Sequence, residues 1–143
     1  ANAIELPRAW MGDDSYDFSF SGLKSAVLNY INKAKMKGEE INPADVAASF
    51  QQAVLDVLVQ KTVRAAVENG VSNILLAGGV AANGTLRDQL QTAANAHNIQ
   101  VHYPPVHFCT DNAAMIAIAG WFHYQNRERS SLDVAPVSRL AEF

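Results

Sequence analysis

Two short segments of the sequence contain residue types that could bind a ligand. The first, residues 77–85, reads Ala-Gly-Gly-Val-Ala-Ala-Asn-Gly-Thr and follows a short apolar run. Gly78 and Gly79 would let a ligand approach the backbone closely, and a helix N-terminus offers unpaired N–H groups to phosphate or ribose oxygens. Asn83 can donate and accept hydrogen bonds, which suits a nucleotide. The pattern predicts equally well a tight strand-to-helix turn that Asn83 caps.

The second segment, residues 107–112, reads His-Phe-Cys-Thr-Asp-Asn and precedes an apolar helix pattern. Loops at the carboxyl ends of strands form the usual ligand side of open α/β sheets. The carboxylate of Asp111 could therefore be an oxygen ligand to a metal ion. The simpler alternative, which the pattern alone favours, is that Thr110 or Asp111 caps the following helix and that the charge meets the helix dipole.

Several familiar catalytic motifs are absent from the sequence. The glycines form neither a GxGxxG dinucleotide motif nor a P-loop, and no HExxH zinc-protease motif is present. His107 and Cys109 are two residues apart in sequence, and this proximity alone does not establish a catalytic pair. We therefore do not expect a Cys–His nucleophile.

Composition predicts a globular domain in a reducing compartment. Of the 143 residues, 49% are apolar and 17% are charged, and the net charge is −3. This balance argues against nucleic-acid binding by bulk charge, although RNA could be handled jointly with a basic partner. Cys109 is the single cysteine, so an internal disulfide is ruled out. With no membrane-span or signal-peptide pattern, we expect a cytoplasmic chain without membrane contact.

The first half of the chain predicts one strand and two helices. Polar and aromatic residues alternate over 17–20, as in a half-buried strand. Ser21 is expected to cap a helix that Gly38 ends. Asn42 as cap and Pro43 at the first helical position begin a long amphipathic helix, which runs to the Asn-Gly pair at 69–70.

The second half predicts a strand–helix–strand unit and one further helix. Residues 71–77 contain an apolar run typical of a strand covered on both faces, and residues 99–103 alternate like another strand. A helix ending near His97 lies between them. Residues 111–124 are apolar nearly all round, which predicts a helix buried on most sides. Strands alternating with helices indicate an α/β fold with a parallel βαβ unit.

Three blocks of the sequence together resemble a known family. They are Asp-Phe-Ser-Phe-Ser-Gly-Leu-Lys at 17–24, Leu-Ala-Gly-Gly-Val-Ala-Ala-Asn at 76–83, and Cys-Thr-Asp-Asn-Ala-Ala-Met-Ile-Ala at 109–117. In this order they resemble the bacterial tRNA threonylcarbamoyladenosine transferase family (TsaD-like), over residues 6–124. An older name for the family is O-sialoglycoprotein endopeptidase, but no protease motif or hydrolytic triad supports that activity here.

The resemblance implies the actin/sugar-kinase/Hsp70 (ASKHA) fold, with long helices packed on a small sheet. Residues 1–143 would be a partial single domain, the C-terminal lobe, ending in an irregular tail at 126–143. The start without Met also suggests a fragment. Gly78 and Gly79 would line the nucleotide cleft, and Asn83 would contact the adenylate. Asp111 would be the one metal ligand here, joined by two histidines of an HxxxH motif in the N-terminal lobe, which this sequence lacks.

The resemblance also implies an activity and partners. The complete protein would move a threonylcarbamoyl group from its adenylate to the exocyclic amine of a tRNA adenosine beside the anticodon, with iron or zinc bound. The expected partners are the tRNA, a related ASKHA-fold protein and a small ATPase. We expect the isolated chain to be inactive. The alternative is an inactive nucleotide-binding or protein-interaction fragment that self-associates.

Overall fold

The computed structural model describes residues 3–12 and 15–136. These residues form four α-helices and a two-stranded parallel sheet, which confirms the predicted α/β class with a parallel βαβ unit. The elements in chain order are α1 (Ser21–Lys37), α2 (Pro43–Glu68), β1 (Asn73–Leu75), α3 (Gly84–Asn95), β2 (Gln100–His102) and α4 (Ala113–Gln125), with short 3-10 helices at Gly79–Ala82 and Val106–Phe108. The predicted tail, 126–143, lies partly outside the described residues, and its described part contains no helix or strand.

The two strands lie side by side with Ile74 opposite Val101. Because the strands are parallel, both chains leave the sheet at the same edge, so the loops that follow β1 and β2 are neighbours. Helices α2 and α3 pack on the face that holds Ile74. Leu75 points to the other face and is 77% exposed, so the prediction of a strand covered on both faces is wrong. No element of the described residues lies over that second face.

The ends of α1 and α2 follow the local sequence signals. The side chain of Asn42 accepts a hydrogen bond from the backbone N–H of Ala44 at 3.0 Å, and Pro43 begins α2. Gly38 ends α1 in the left-handed conformation, with φ 70°. These features are predictable because each depends on one residue type. Ser21 is the first residue of α1 rather than its cap, since Phe20 occupies the cap position.

The predicted strand at 17–20 is wrong, because this segment is not part of a sheet. It lies along α2 instead, where cationic side chains bind the carbonyl groups of residues 15–17. The ammonium group of Lys61 donates to the carbonyl of Asp17 at 2.6 Å, and Arg64 donates to the carbonyl of Ser15 at 2.7 Å. Lys61 is only 2% exposed, so the hydrogen bond satisfies a buried charge. Of the two aromatic residues in the alternating pattern, Phe20 packs against Leu6, Leu23 and Ala53, whereas Phe18 is 47% exposed.

The main hydrophobic core lies between α2, α3 and the sheet. It contains Leu55, Val59, Val63, Ala66, Ile74, Leu86, Leu90, Ala94 and Ile99. A smaller cluster of Leu6, Leu23 and Ala53 holds the N-terminal segment and α1 on α2. The apolar stripe predicted for α3 thus faces the main core, whereas α2 contributes residues to both clusters, and the main core supports the βαβ unit and the loops at its end.

Helix α4 differs from its prediction. The sequence predicts burial on most sides, yet none of the residues of α4 is buried. Ile116 is 70% exposed and Phe122 is 63% exposed. An apolar helix is expected to be covered by other elements, but the described residues include none that covers α4. No helix among the described residues is both long enough and apolar enough to cross a membrane.

The core between α2 and α3 yields a stability prediction. Leu90→Ala should lower the free energy of unfolding by about 2–5 kcal/mol, because it removes a buried side chain and leaves a cavity. Denaturant titration of the purified chain measures this value. Leu28→Ala is the matched control, since Leu28 is 52% exposed on α1. Equal losses in the two variants would contradict the assignment of the core.

Candidate functional site

A glycine turn follows β1 and leads into α3. Gly78 has φ 87° and ψ 175°, a conformation that is available essentially only to glycine. The chain then forms the 3-10 helix Gly79–Ala82, in which Ala81 is fully buried. A side chain at position 78 or 79 would contact nothing within 4 Å, so the space beside the turn is open. A ligand could therefore approach the backbone here.

Asn83 caps α3. Its side-chain oxygen accepts a hydrogen bond from the backbone N–H of Leu86 at 3.0 Å, and its amide nitrogen donates to Gln51 at 3.2 Å. The simpler prediction for Asn83, a cap at a strand-to-helix turn, is therefore confirmed. The amide retains one N–H and one lone pair beyond these two bonds, so a ligand contact would have to use those.

In the loop before α4, the residue that caps the helix is not the one expected from the sequence. Asn112 is the helix cap, because its side-chain oxygen accepts from the backbone N–H of Met115 at 3.0 Å. Its amide nitrogen also donates to the carbonyls of Thr110 at 2.9 Å and Phe108 at 3.3 Å. The interpretation of Thr110 or Asp111 as the cap is thus wrong. Within the described residues, no hydrogen bond or ion pair engages the exposed carboxylate of Asp111.

The glycine turn and the Asp111 loop share one cavity of about 440 Å³. It is lined by Ala77, Gly78, Gly79, Phe108, Cys109, Thr110, Asp111 and Met115. The structure therefore brings together Gly78, Gly79 and Asp111, three of the four site residues chosen from the sequence. Asn83 is not among the lining residues. Somewhat larger grooves lie between α2 and the end of α3 and between α1 and α2, away from the strand ends where both candidate segments meet.

The cavity offers one metal ligand. Among the residues that the structure describes, no three His, Cys, Asp or Glu side chains are grouped to hold a metal ion. A single carboxylate suits one position of a mixed imidazole and carboxylate site for iron or zinc, and the other ligands would have to come from elsewhere. Asp111 fits that partial role because neither the helix cap nor an ion pair of the described residues uses its oxygens.

Arg87 is a residue that the sequence reasoning missed. From the first turn of α3, its Nε donates to the carbonyl of Ala81 at 2.5 Å, and its Nη2 donates to the carbonyl of Pro104 at 3.0 Å. The same Nη2 lies 3.1 Å from the sulfur of Cys109, and the guanidinium stacks over the ring of Tyr103 at 4.4 Å. A helix dipole disfavours a cation near its N-terminus. An arginine at this position was therefore the available signal that its side chain has another role.

Comparison with known proteins shows that most of the chain is similar to one family. Residues 1–118 match the family model described as TsaD, tRNA N6-adenosine threonylcarbamoyltransferase. A protein of that name from Clostridium botulinum (strain 657 / Type Ba4) is 56% identical over 138 residues, 96% of this chain and 41% of the relative. Another from Bacillus anthracis is 57% identical over 130 residues, 90% of this chain and 38% of the relative. The chain thus spans about two fifths of the length of these curated relatives.

Substitution of the two glycines tests the conformation of the glycine turn. Gly78→Ala should lower the free energy of unfolding by about 1–3 kcal/mol, because it forces a side chain into a conformation that only glycine adopts without strain. Gly79→Ala is the control, since φ at this neighbour lies outside the left-handed range. That variant should be neutral or gain up to about 1 kcal/mol. Denaturant titration measures both, and a tolerated Gly78→Ala would contradict the turn geometry.

Proposed function

The chain belongs to the tRNA N6-adenosine threonylcarbamoyltransferase (TsaD) family, and we propose that it forms one wall of that transferase's active site. In this proposal the glycine turn holds the nucleotide part of the threonylcarbamoyl adenylate, and Asp111 is one ligand of a metal ion. The remaining ligands and the opposite wall belong to the part of the family protein that this chain does not span.

One observation carries the proposal. Asp111 lines the same cavity as Gly78 and Gly79, while Asn112 performs the capping role that would otherwise have explained an acidic residue there. An exposed carboxylate that no described residue engages, opposite a turn that admits close backbone approach, suits a bound phosphate ester beside a cation. The open space over the turn leaves room for the adenylate.

Each residue has a separate role in the proposed chemistry. The backbone at Gly78 and Gly79 binds phosphate or ribose oxygens, and Asn83 offers its remaining N–H and lone pair to the adenylate. Asp111 contributes an oxygen ligand for iron or zinc, together with two histidines that the family resemblance places in the other lobe. When bound, such a metal supplies Lewis-acid polarisation of the threonylcarbamoyl carbonyl.

The proposed reaction is a group transfer driven by positioning. The exocyclic amine of the tRNA adenosine forms a bond to the carbamoyl carbon, the bond from that carbon to the phosphate oxygen breaks, and AMP leaves. The amine loses a proton to solvent. No protein nucleophile is required, and the one thiol is 4% exposed beside Arg87. The site therefore accelerates transfer by holding two reactants in line.

Partners and location extend the same proposal. The transferase acts on tRNA in the cytoplasm, with a related ASKHA-fold protein and a small ATPase in the modification complex. The net charge of −3 makes this chain a poor tRNA platform by itself. We therefore assign the tRNA-binding surface mainly to the rest of the protein and to its partners.

A chimeric enzyme tests the transferase proposal. The matched segment of the Clostridium botulinum relative is replaced by the corresponding residues of this chain, and transfer to tRNA is measured by mass spectrometry of the nucleosides. The chimera should be active, and Asp111→Ala should lower its activity at least about 100-fold, since losing even outer partners of metal ligands costs about 10–100-fold.

The control for this experiment is Asp88→Asn, which removes an exposed charge from α3. It should leave the chimera's activity unchanged. Bound metal is measured in parallel by atomic emission and should fall in Asp111→Ala alone. An active Asp111→Ala chimera with full metal content would show that Asp111 is not a ligand.

A second candidate function is protein interaction through α4. The helix is apolar on all sides and none of its residues is buried. A large exposed apolar surface of this kind marks an interaction site. In a solution of the purified chain, the available apolar surface that could cover α4 belongs to a second copy. We therefore propose that the isolated chain self-associates through α4.

Analytical ultracentrifugation tests the interaction proposal. The chain should sediment as concentration-dependent oligomers, and the double substitution Ile116→Glu with Phe122→Glu should shift it to monomer. Met36→Glu is the matched control, because Met36 is an apolar residue on α1 that is 89% exposed. A monomeric wild-type chain at high concentration, or equal dissociation by the control, would contradict the role of α4.

A further inference from the structure

The side chain of Arg87 contacts both loops that form the candidate site. On one side it binds the carbonyl of Ala81, two residues beyond Gly79. On the other side it binds Pro104 and Cys109, and Cys109 is two residues before Asp111. The guanidinium thus lies between the glycine turn and the Asp111 loop. In each loop, one of its contacts is two residues from a proposed binding residue, Gly79 or Asp111.

No other polar link joins these two loops within the described residues. The last ladder bond of the sheet runs from the N–H of Leu76 to the carbonyl of His102, at 2.8 Å. Beyond it, the hydrogen bonds of residues 77–83 and those of residues 103–112 do not cross from one loop to the other, apart from those through Arg87. Two strands of three residues each hold the start of the loops, so the spacing at their ends needs a separate support.

The contacts require a guanidinium group specifically. Nε and Nη2 donate in different directions to two carbonyls and a sulfur, while the planar face covers the ring of Tyr103. A lysine ammonium is a single point donor and cannot make this combination of hydrogen bonds and stacking. The sulfur of Cys109 lies 3.9 and 3.7 Å from the carbonyls of Pro104 and Pro105, to which the thiol can donate while it accepts from Arg87.

We infer that Arg87 is a positioning residue that sets the distance between the glycine turn and the Asp111 loop. The catalytic role of Arg87 in this inference rests on the proposed function, in which the two loops would hold opposite ends of one intermediate. Arg87 itself does not line the cavity, and it acts through the backbone of both loops. Misplacement of reacting groups by about 1 Å can cost roughly 100-fold in rate, so this spacing matters for group transfer.

Hydrogen exchange on the purified chain tests the structural part. Arg87→Met keeps an apolar stem but removes every hydrogen bond of the guanidinium, and Arg87→Lys keeps the charge. Amide exchange in residues 79–83 and 106–112 should rise about tenfold or more in Arg87→Met, roughly the net worth of one or two hydrogen bonds. Arg87→Lys should fall between it and the wild type, and Asp88→Asn should match the wild type.

The core amides of α2 separate positioning from general stability. They should keep wild-type exchange rates in Arg87→Lys, and the thiol of Cys109 should react faster with a disulfide reagent in that variant. Uniform acceleration across α2 and the loops would mean that Arg87 only stabilises the fold. Unchanged amide exchange in both loops of both variants would overturn the inference. If Arg87→Met does not fold, the exchange rates of Arg87→Lys decide the test.

The chimeric enzyme tests the catalytic part. Arg87→Lys in the chimera should lower kcat about tenfold or more, with KM for the adenylate changed less than about threefold, because loosened spacing impairs alignment more than binding. A rise in KM alone would contradict positioning. If the chimera with Arg87 intact is inactive, the proposed function fails, while the exchange experiment still decides whether Arg87 couples the two loops.

Discussion

The parallel pairing of β1 with β2 is the constraint on which the candidate site depends. Ile74 lies opposite Val101, so both strands end at the same edge of the sheet. The glycine turn and the Asp111 loop are far apart in sequence and meet only because of this register. An antiparallel pair would have placed the two loops at opposite ends. Helices α2 and α3 stabilise the pairing through the core that surrounds Ile74.

The chemistry available to the site depends on which polar side chains cap helices and which remain available to a ligand. Asn112 caps α4 and binds a carbonyl of the loop before it, so the cap does not use the neighbouring Asp111, which lines the cavity. Asn83 shows the opposite arrangement, because capping and Gln51 already engage both polar atoms of its side chain. In the sequence Asn83 and Asp111 both resemble helix caps, and only the hydrogen bonds separate them.

Two features of the chain require something beyond the residues described. In the proposed site Asp111 would be a single carboxylate ligand of a metal ion that needs several, and α4 is an apolar helix without a buried residue. Both lie in the same segment of the chain. The curated relatives are more than twice as long as the segment that this chain matches. Under the proposed function, the complementary residues belong to the part of the family protein that this chain does not span.

The sequence by itself determined the features that depend on neighbouring residues. Asn42 with Pro43, Gly38, and the glycine turn were all predicted, since caps and turns follow from single residue types. The family was also recognisable from three short motifs. Two of the four site residues, Gly78 and Gly79, needed only this local information to be placed in one turn.

Tertiary structure alone decided the features that depend on distant contacts. The segment at 17–20 alternates like a strand, but Lys61 on α2 binds its backbone and no strand forms. The exposure of α4 depends on which elements are present to cover it, and periodicity cannot report that. The position of Arg87 between two loops also depends on the register of the sheet. Long-range contacts of this kind arise from packing, which the local sequence does not encode.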